Sequence, residues 1–170
     1  MIALLLCNLI IPTFEIFDNS TKNLRIQTEE DFQTSTEFKD ETLHLIIEDE
    51  IASIPSKAFE GWEKISCVNI GNSVTSIGES AFKECFNLIN VTFGNNVNTI
   101  ERGAFYRCYQ LSEAIFGDNL ATIGHHSFAE CSSLKTVKLS ATVSSIEEKA
   151  FSECKKLTNI NLGENLKKNP

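Results

Sequence analysis

Phenylalanine recurs every 23 positions in this chain, at Phe59, Phe82, Phe105, Phe128 and Phe151. A small residue precedes each one: Ala58, Ala81, Ala104, Ser127 and Ala150. Cysteine keeps the same interval at Cys85, Cys108, Cys131 and Cys154, and Trp62 holds that place in the first unit. A period this strict implies stacked units, each packing only on its neighbours. Residues 43–158 make five full units and residues 159–170 begin a sixth.

The apolar pattern changes within each unit. Leu45/Ile47, Val68/Ile70, Val91/Phe93, Ala114/Phe116, Val137/Leu139 and Ile160/Leu162 alternate with other residues. Such alternation predicts a short strand with one face inward. A turn follows at Gly71-Asn72, Gly94-Asn95, Gly117-Asp118, Ser140-Ala141 and Gly163-Glu164, where glycine permits positive φ. A second extended piece carries Ile51/Ile54, Val74/Ile77, Val97/Ile100, Leu120/Ile123 and Val143/Ile146. Ala81, Cys85 and Leu88 then fall at i, i+4 and i+7, beside Phe82, which predicts the stripe of a short helix. Helices of about ten residues are marginal in water, so packing on adjacent units must hold them.

A unit reading Val-Asn-Ile-Gly-Asn-Ser-Val-Thr-Ser-Ile-Gly-Glu-Ser-Ala-Phe-Lys-Glu-Cys-Phe-Asn-Leu, residues 68–88, resembles the BspA-like leucine-rich repeats. The resemblance covers most of the chain. It implies an α/β repeat fold: a curved leucine-rich-repeat solenoid of 23-residue repeats, with parallel strands on the concave face. The short helices read from the residues would lie on the other face. Such proteins are mostly surface or secreted proteins of bacteria and protists, and some are adhesins.

Two further segments precede the array. Residues 1–20 are an apolar leader, Met1 to Pro12 above all, which reads as a signal peptide, as an apolar capping strand or as the product of a mis-started gene. Residues 21–42 are polar and acidic and read as an N-terminal cap or a tether. Extracellular or cell-surface placement is favoured over cytoplasmic. No stretch reaches the roughly 18 apolar residues of a membrane-spanning helix, so no transmembrane span is expected. The net charge of −8 argues against nucleic acid, whose phosphates are met by Lys and Arg.

The residue types that carry chemistry are badly placed for it. Cysteines 23 apart make no tetrahedral metal site, and helical segments stacked about 8–10 Å apart stand too far apart for a disulfide ladder. Cys85, Cys108, Cys131 and Cys154 are expected to be buried thiols. Cys67, outward on its strand, is the more reactive candidate. His125 and His126 make a poor metal pair, because adjacent helical residues do not share a face. They are expected at the surface because Arg102-Gly103 and Glu79-Ser80 fill the same variable positions in earlier repeats. No carboxylate is set against a partner that would tune it for acid–base work. No enzymatic activity, metal or cofactor is therefore expected.

The outward strand positions vary while the inward ones do not. One row is His44, Cys67, Asn90, Glu113, Thr136 and Asn159; the next is Ile46, Asn69, Thr92, Ile115, Lys138 and Asn161. Together they form the candidate protein-contact strip on the concave face. Phe86, Tyr106 and Tyr109 form a second candidate patch on the helical side. Sequons stand at Asn19 and Asn90, and a glycan on Asn90 would cover part of the strip. The expected activity is adhesion or binding of a protein or glycoprotein. An intracellular scaffold with the same repeats and a fragment of a larger surface protein are the alternatives. The incomplete sixth repeat leaves an uncapped apolar end, which points to self-association.

Overall fold

The computed structural model describes residues 22–34, 39–40 and 43–161. The apolar leader, Asn19, Leu162 and the Gly163-Glu164 turn lie outside the described residues. Two parallel sheets run the length of the molecule. The first contains β1 (Lys22–Ile26), β2 (Leu43–Ile47), β4 (Ile65–Ile70), β6 (Asn90–Thr92), β8 (Glu113–Ile115), β10 (Thr136–Lys138) and β12 (Asn159–Asn161), in that order. The second contains the two-residue strands β3 (Ser53–Ile54), β5 (Ser76–Ile77), β7 (Thr99–Ile100), β9 (Thr122–Ile123) and β11 (Ser145–Ile146). Like residues face like: Val68 pairs with Val91, Val91 with Ala114, and Ile77 with Ile100. Each coil thus visits the first sheet, bends, visits the second, and returns along a third side.

That third side corrects one expectation. Among the described residues the helix is confined to α1 (Asp31–Thr34), which precedes the repeats. The Ala-Phe-x-x-Cys stretches form consecutive β-turns instead. In the second repeat the amides of Ala81, Lys83 and Cys85 donate to the carbonyls of Gly78, Ser80 and Phe82, three residues back. The intervening amides of Ser80, Phe82 and Glu84 donate to Arg102, Ala104 and Tyr106 of the next coil, at 3.0, 2.7 and 2.8 Å. A helix would spend those donors on its own carbonyls. Here they build a third ladder between coils, and these amides are satisfied without one.

Positive φ makes this possible. It recurs in two columns: Lys57, Ser80, Gly103, His126 and Lys149, then Gly61, Glu84, Arg107, Glu130 and Glu153. Ser80 and Glu84 are third residues of hydrogen-bonded turns, the place where a type II turn takes positive φ. Left-handed residues four apart end any right-handed helix before it completes a turn.

The glycines after the first strand need a different explanation from the one expected. Gly71, Gly94 and Gly117 do not have positive φ. They are required by close approach: a Cβ on Gly94 would lie 2.1 Å from the Gly71 carbonyl oxygen.

The core is a set of parallel columns. Phe59, Phe82, Phe105, Phe128 and Phe151 stack with ring centroids 5.1–5.4 Å apart and planes within 16°. Phe93 and Phe116 form a second stack at 5.1 Å and meet Phe105 and Phe128 edge-on. Burying each large side chain contributes about 1.5–3 kcal/mol. The phenylalanine column is closed at its N-terminal end by buried Phe32, which tilts 59° against Phe59. Its loop is fixed by Asp31, whose Oδ2 accepts the Gln27 and Thr28 amides at 2.7 and 2.8 Å. Those bonds hold the Asp31 carboxyl below its ordinary pKa. At the other end Phe151 and Leu157 are only partly covered, and Ile160 is 39% exposed.

Candidate functional site

Alternation along the first sheet sends every second side chain away from the core, and in-register pairing sorts these side chains into rows. His44 aligns with Cys67, Cys67 with Asn90, Asn90 with Glu113, Glu113 with Thr136, and Thr136 with Asn159. In the neighbouring row Ile46 aligns with Asn69, Asn69 with Thr92, Thr92 with Ile115, and Lys138 with Asn161.

The two ends of this strip differ in exposure. Glu113, Thr136, Lys138, Asn159 and Asn161 are open to solvent, and Ile115 is 43% exposed. Asn69 is exposed, while His44, Ile46 and Thr92 are half-covered. Burial lowers the pKa of the His44 imidazole. Cys67 and Asn90 are buried, at 4% and 8% exposure. Cys67 is also disulfide-bonded, so the accessible reactive thiol expected there is not found. Burial of Asn90 leaves its side chain poorly placed to carry a glycan in the folded chain.

The second candidate patch divides. Phe86 and Tyr109 stack at 5.3 Å with planes 8° apart, and Tyr109 is 38% exposed. Tyr106 belongs elsewhere. Its hydroxyl donates to Glu130 Oε1 at 2.7 Å, and the Arg107 guanidinium sits 4.8 Å from its ring centre. The Glu130 bond raises the pKa of the Tyr106 phenol.

The four repeat cysteines are buried free thiols. They do more than fill space. Cys85, Cys108, Cys131 and Cys154 donate through Sγ to the carbonyls of Phe59, Phe82, Phe105 and Phe128, at 3.1–3.2 Å. Each thiol thus ties one coil to the coil before it. Desolvation pushes all four up, Cys154 to about 11.

Because the third side is not helical, His125 and His126 meet after all. Their Nδ1 atoms are 2.7 Å apart and both rings are half-buried. Desolvation lowers the pKa of His126. Among the described residues no three His, Cys, Asp or Glu side chains converge as a metal site.

One concavity escaped the sequence reading. On the turn side, Glu79, Ser80 and Lys83, Arg102, Gly103 and Tyr106, and His126, from three successive repeats, line a cleft of about 390 Å³. Its floor follows the first positive-φ column. The only sequence signal was Gly103 standing where the neighbouring repeats carry side chains.

The comparisons with known proteins agree with this architecture. The BspA type leucine rich repeat region matches residues 52–169 in six copies. The chain belongs to that family. Among solved structures it is similar to a leucine rich repeat protein of T. pallidum, with 29% identity and a TM-score of 0.68 over 70% of this chain and 58% of that one. Leucine-rich repeat proteins of Bacteroides ovatus (23% identity, TM-score 0.56, 90% of this chain and 48% of that) and Eubacterium ventriosum (19%, 0.66, 88% and 41%) share the fold. The chain therefore spans roughly two-fifths to three-fifths of these proteins. Among curated proteins no sequence matches it. No helix among the described residues is long and apolar enough to cross a membrane.

Proposed function

We propose that this BspA-type leucine-rich-repeat chain is a non-enzymatic module that holds a protein or glycoprotein partner on the outward rows of its first sheet. Membership of a family generally built for protein interaction supports the reading. The observation that carries it is the exposed half of the strip. There Glu113, Ile115, Thr136, Lys138, Asn159 and Asn161 stand on in-register strands over a packed core. Strands about 4.8 Å apart present these groups at fixed spacing, so little backbone freedom is lost when a partner docks. Both charge signs and an apolar side chain lie within one rigid patch.

The test compares the intact chain with the double reversal Glu113→Lys, Lys138→Glu as bait for surface proteins of cells. Both positions are exposed, so folding should be retained. A partner captured by the parent and lost by the reversal supports the reading. Equal capture by both overturns it.

A second contact follows from the open end. Among the described residues strand β12 is the last in the sheet order, beside exposed Ile160 and partly covered Phe151. Unprotected sheet edges recruit other strands, and self-association through this end is the corresponding proposal.

A further inference from the structure

We propose that the turn-side cleft binds an acidic saccharide unit, a sugar ring bearing a carboxylate. The site lies on a different side of the coil from the strip and does not depend on it.

The cleft has a specific origin. Along the first positive-φ column the side chains run Lys57, Ser80, Gly103, His126, Lys149. They shrink to a hydroxymethyl and then to hydrogen before rising again to an imidazole. Backbone geometry does not demand this. Ser80 and His126 carry side chains at φ of 57° and 56°, beside 60° for Gly103. Nor does packing, because a Cβ on Gly103 would meet Ser80 Oγ at an ordinary 3.6 Å. The missing side chains leave an open floor about 390 Å³ in volume, within the roughly 300–1,000 Å³ of small-ligand sites.

The walls set the ligand class. Lys83, Arg102 and Glu79 are the charged residues of the lining, with His126 beside them. Lys83 is paired with Glu60 at 2.7 Å. The Arg102 guanidinium has no hydrogen bond or ion pair among the described residues, and its planar fork suits a carboxylate. Ser80 and His126 add a hydroxyl and an imidazole for sugar hydroxyls. The Tyr106 ring, held by Glu130 and with Arg107 over one face, lines the cleft as a fixed aromatic wall. Such a wall suits the C–H face of a pyranose and has no use for a bare inorganic anion.

The experiment titrates the isotopically labelled full chain with a glucuronic-acid-containing disaccharide, a neutral glucose disaccharide and an acidic hexapeptide. The expected result is saturable amide shifts centred on Ser80, Gly103 and Tyr106 for the acidic disaccharide alone. Arg102→Gln should weaken binding about tenfold through loss of the bidentate pair. Gly103→Asn should abolish it, since asparagine tolerates the left-handed region and fills the floor. Arg102→Gln should melt as the parent does, and Gly103→Asn should stay folded with only the small loss of a left-handed side chain. The Glu113/Lys138 reversal should leave the titration unchanged, which separates this site from the strip. Equal shifts with the neutral sugar, tighter binding of the peptide, no saturable shift, or unchanged affinity in Arg102→Gln would each overturn the proposal.

Discussion

Single atoms decide several features of this repeat. Ser127 occupies a column otherwise filled by alanine, is fully buried, and its Oγ has no hydrogen-bond partner. An unmatched buried hydroxyl costs about 1–3 kcal/mol. Ser127→Ala should therefore raise stability by about 1 kcal/mol, read as a higher urea midpoint at unchanged slope. Two glycines make a contrasting pair. Gly103→Ala meets only the left-handed penalty, about 1–2 kcal/mol. Gly94→Ala drives a methyl to 2.1 Å from a backbone oxygen, and overpacking that cannot relax should cost about 3 kcal/mol or more. Equal losses at the two sites would refute the close-approach account. The thiols set a pH dependence. Burial raises their pKa above the ordinary 9.0, to about 11 for Cys154 and well above 9.0 for the fully buried ones. The folded state thus holds these protons more tightly. Their stabilising contribution is complete below pH 9.0 and declines as pH rises towards and past 11. Urea midpoints should fall between about pH 8 and about pH 10.5, and less steeply in Cys108→Ala.

At the level of elements, the strands were readable and the third side was not. Val68/Ile70 alternate as a strand must, Val74/Ile77 mark the second extended piece, and both pairs are buried as expected. The i, i+4, i+7 spacing of Ala81, Cys85 and Leu88 satisfies a helical stripe. It is equally satisfied by successive β-turns that bring the same three inward. Separating the two needs φ at Ser80 and Glu84, and neither residue type announces a left-handed backbone. Gly61 and Gly103 were the only hints in their columns. The same gap hid the thiol bonds, because Cys85 reaches Phe59 O only when the coil returns as turns. The rows of the strip were legible from period and alternation alone. Their uneven exposure was not, since alternation gives direction and says nothing of what lies over Cys67 and Asn90. The phenylalanine column is the most demanding element. Phe105 is fully buried between Phe82 and Phe128, each 5.1 Å away with planes 7° apart. Phe105→Ala should cost about 3–5 kcal/mol by chemical denaturation. A loss below about 1 kcal/mol would be incompatible with a rigid stack.

Across the whole molecule the two ends are unlike. Phe32 and the loop tied by Asp31 cover the first coil, whereas the last described coil leaves Phe151, Leu157 and Ile160 incompletely covered. Repeat arrays gain stability from each interface between neighbours, so amide exchange should be slowest around Phe82 and Phe105 and quicken towards β12. Association through the open end should appear as concentration-dependent elution on size exclusion, and Ile160→Lys should suppress it. A monomer at every concentration would exclude that contact. All three sides of the coil, with their backbone ladders and the thiol bonds, share one step of 23 residues. Length can accordingly change only in whole quanta. Splicing out residues 89–111 would rejoin matching seams on every side, while excising one residue fewer would throw all three out of phase at once.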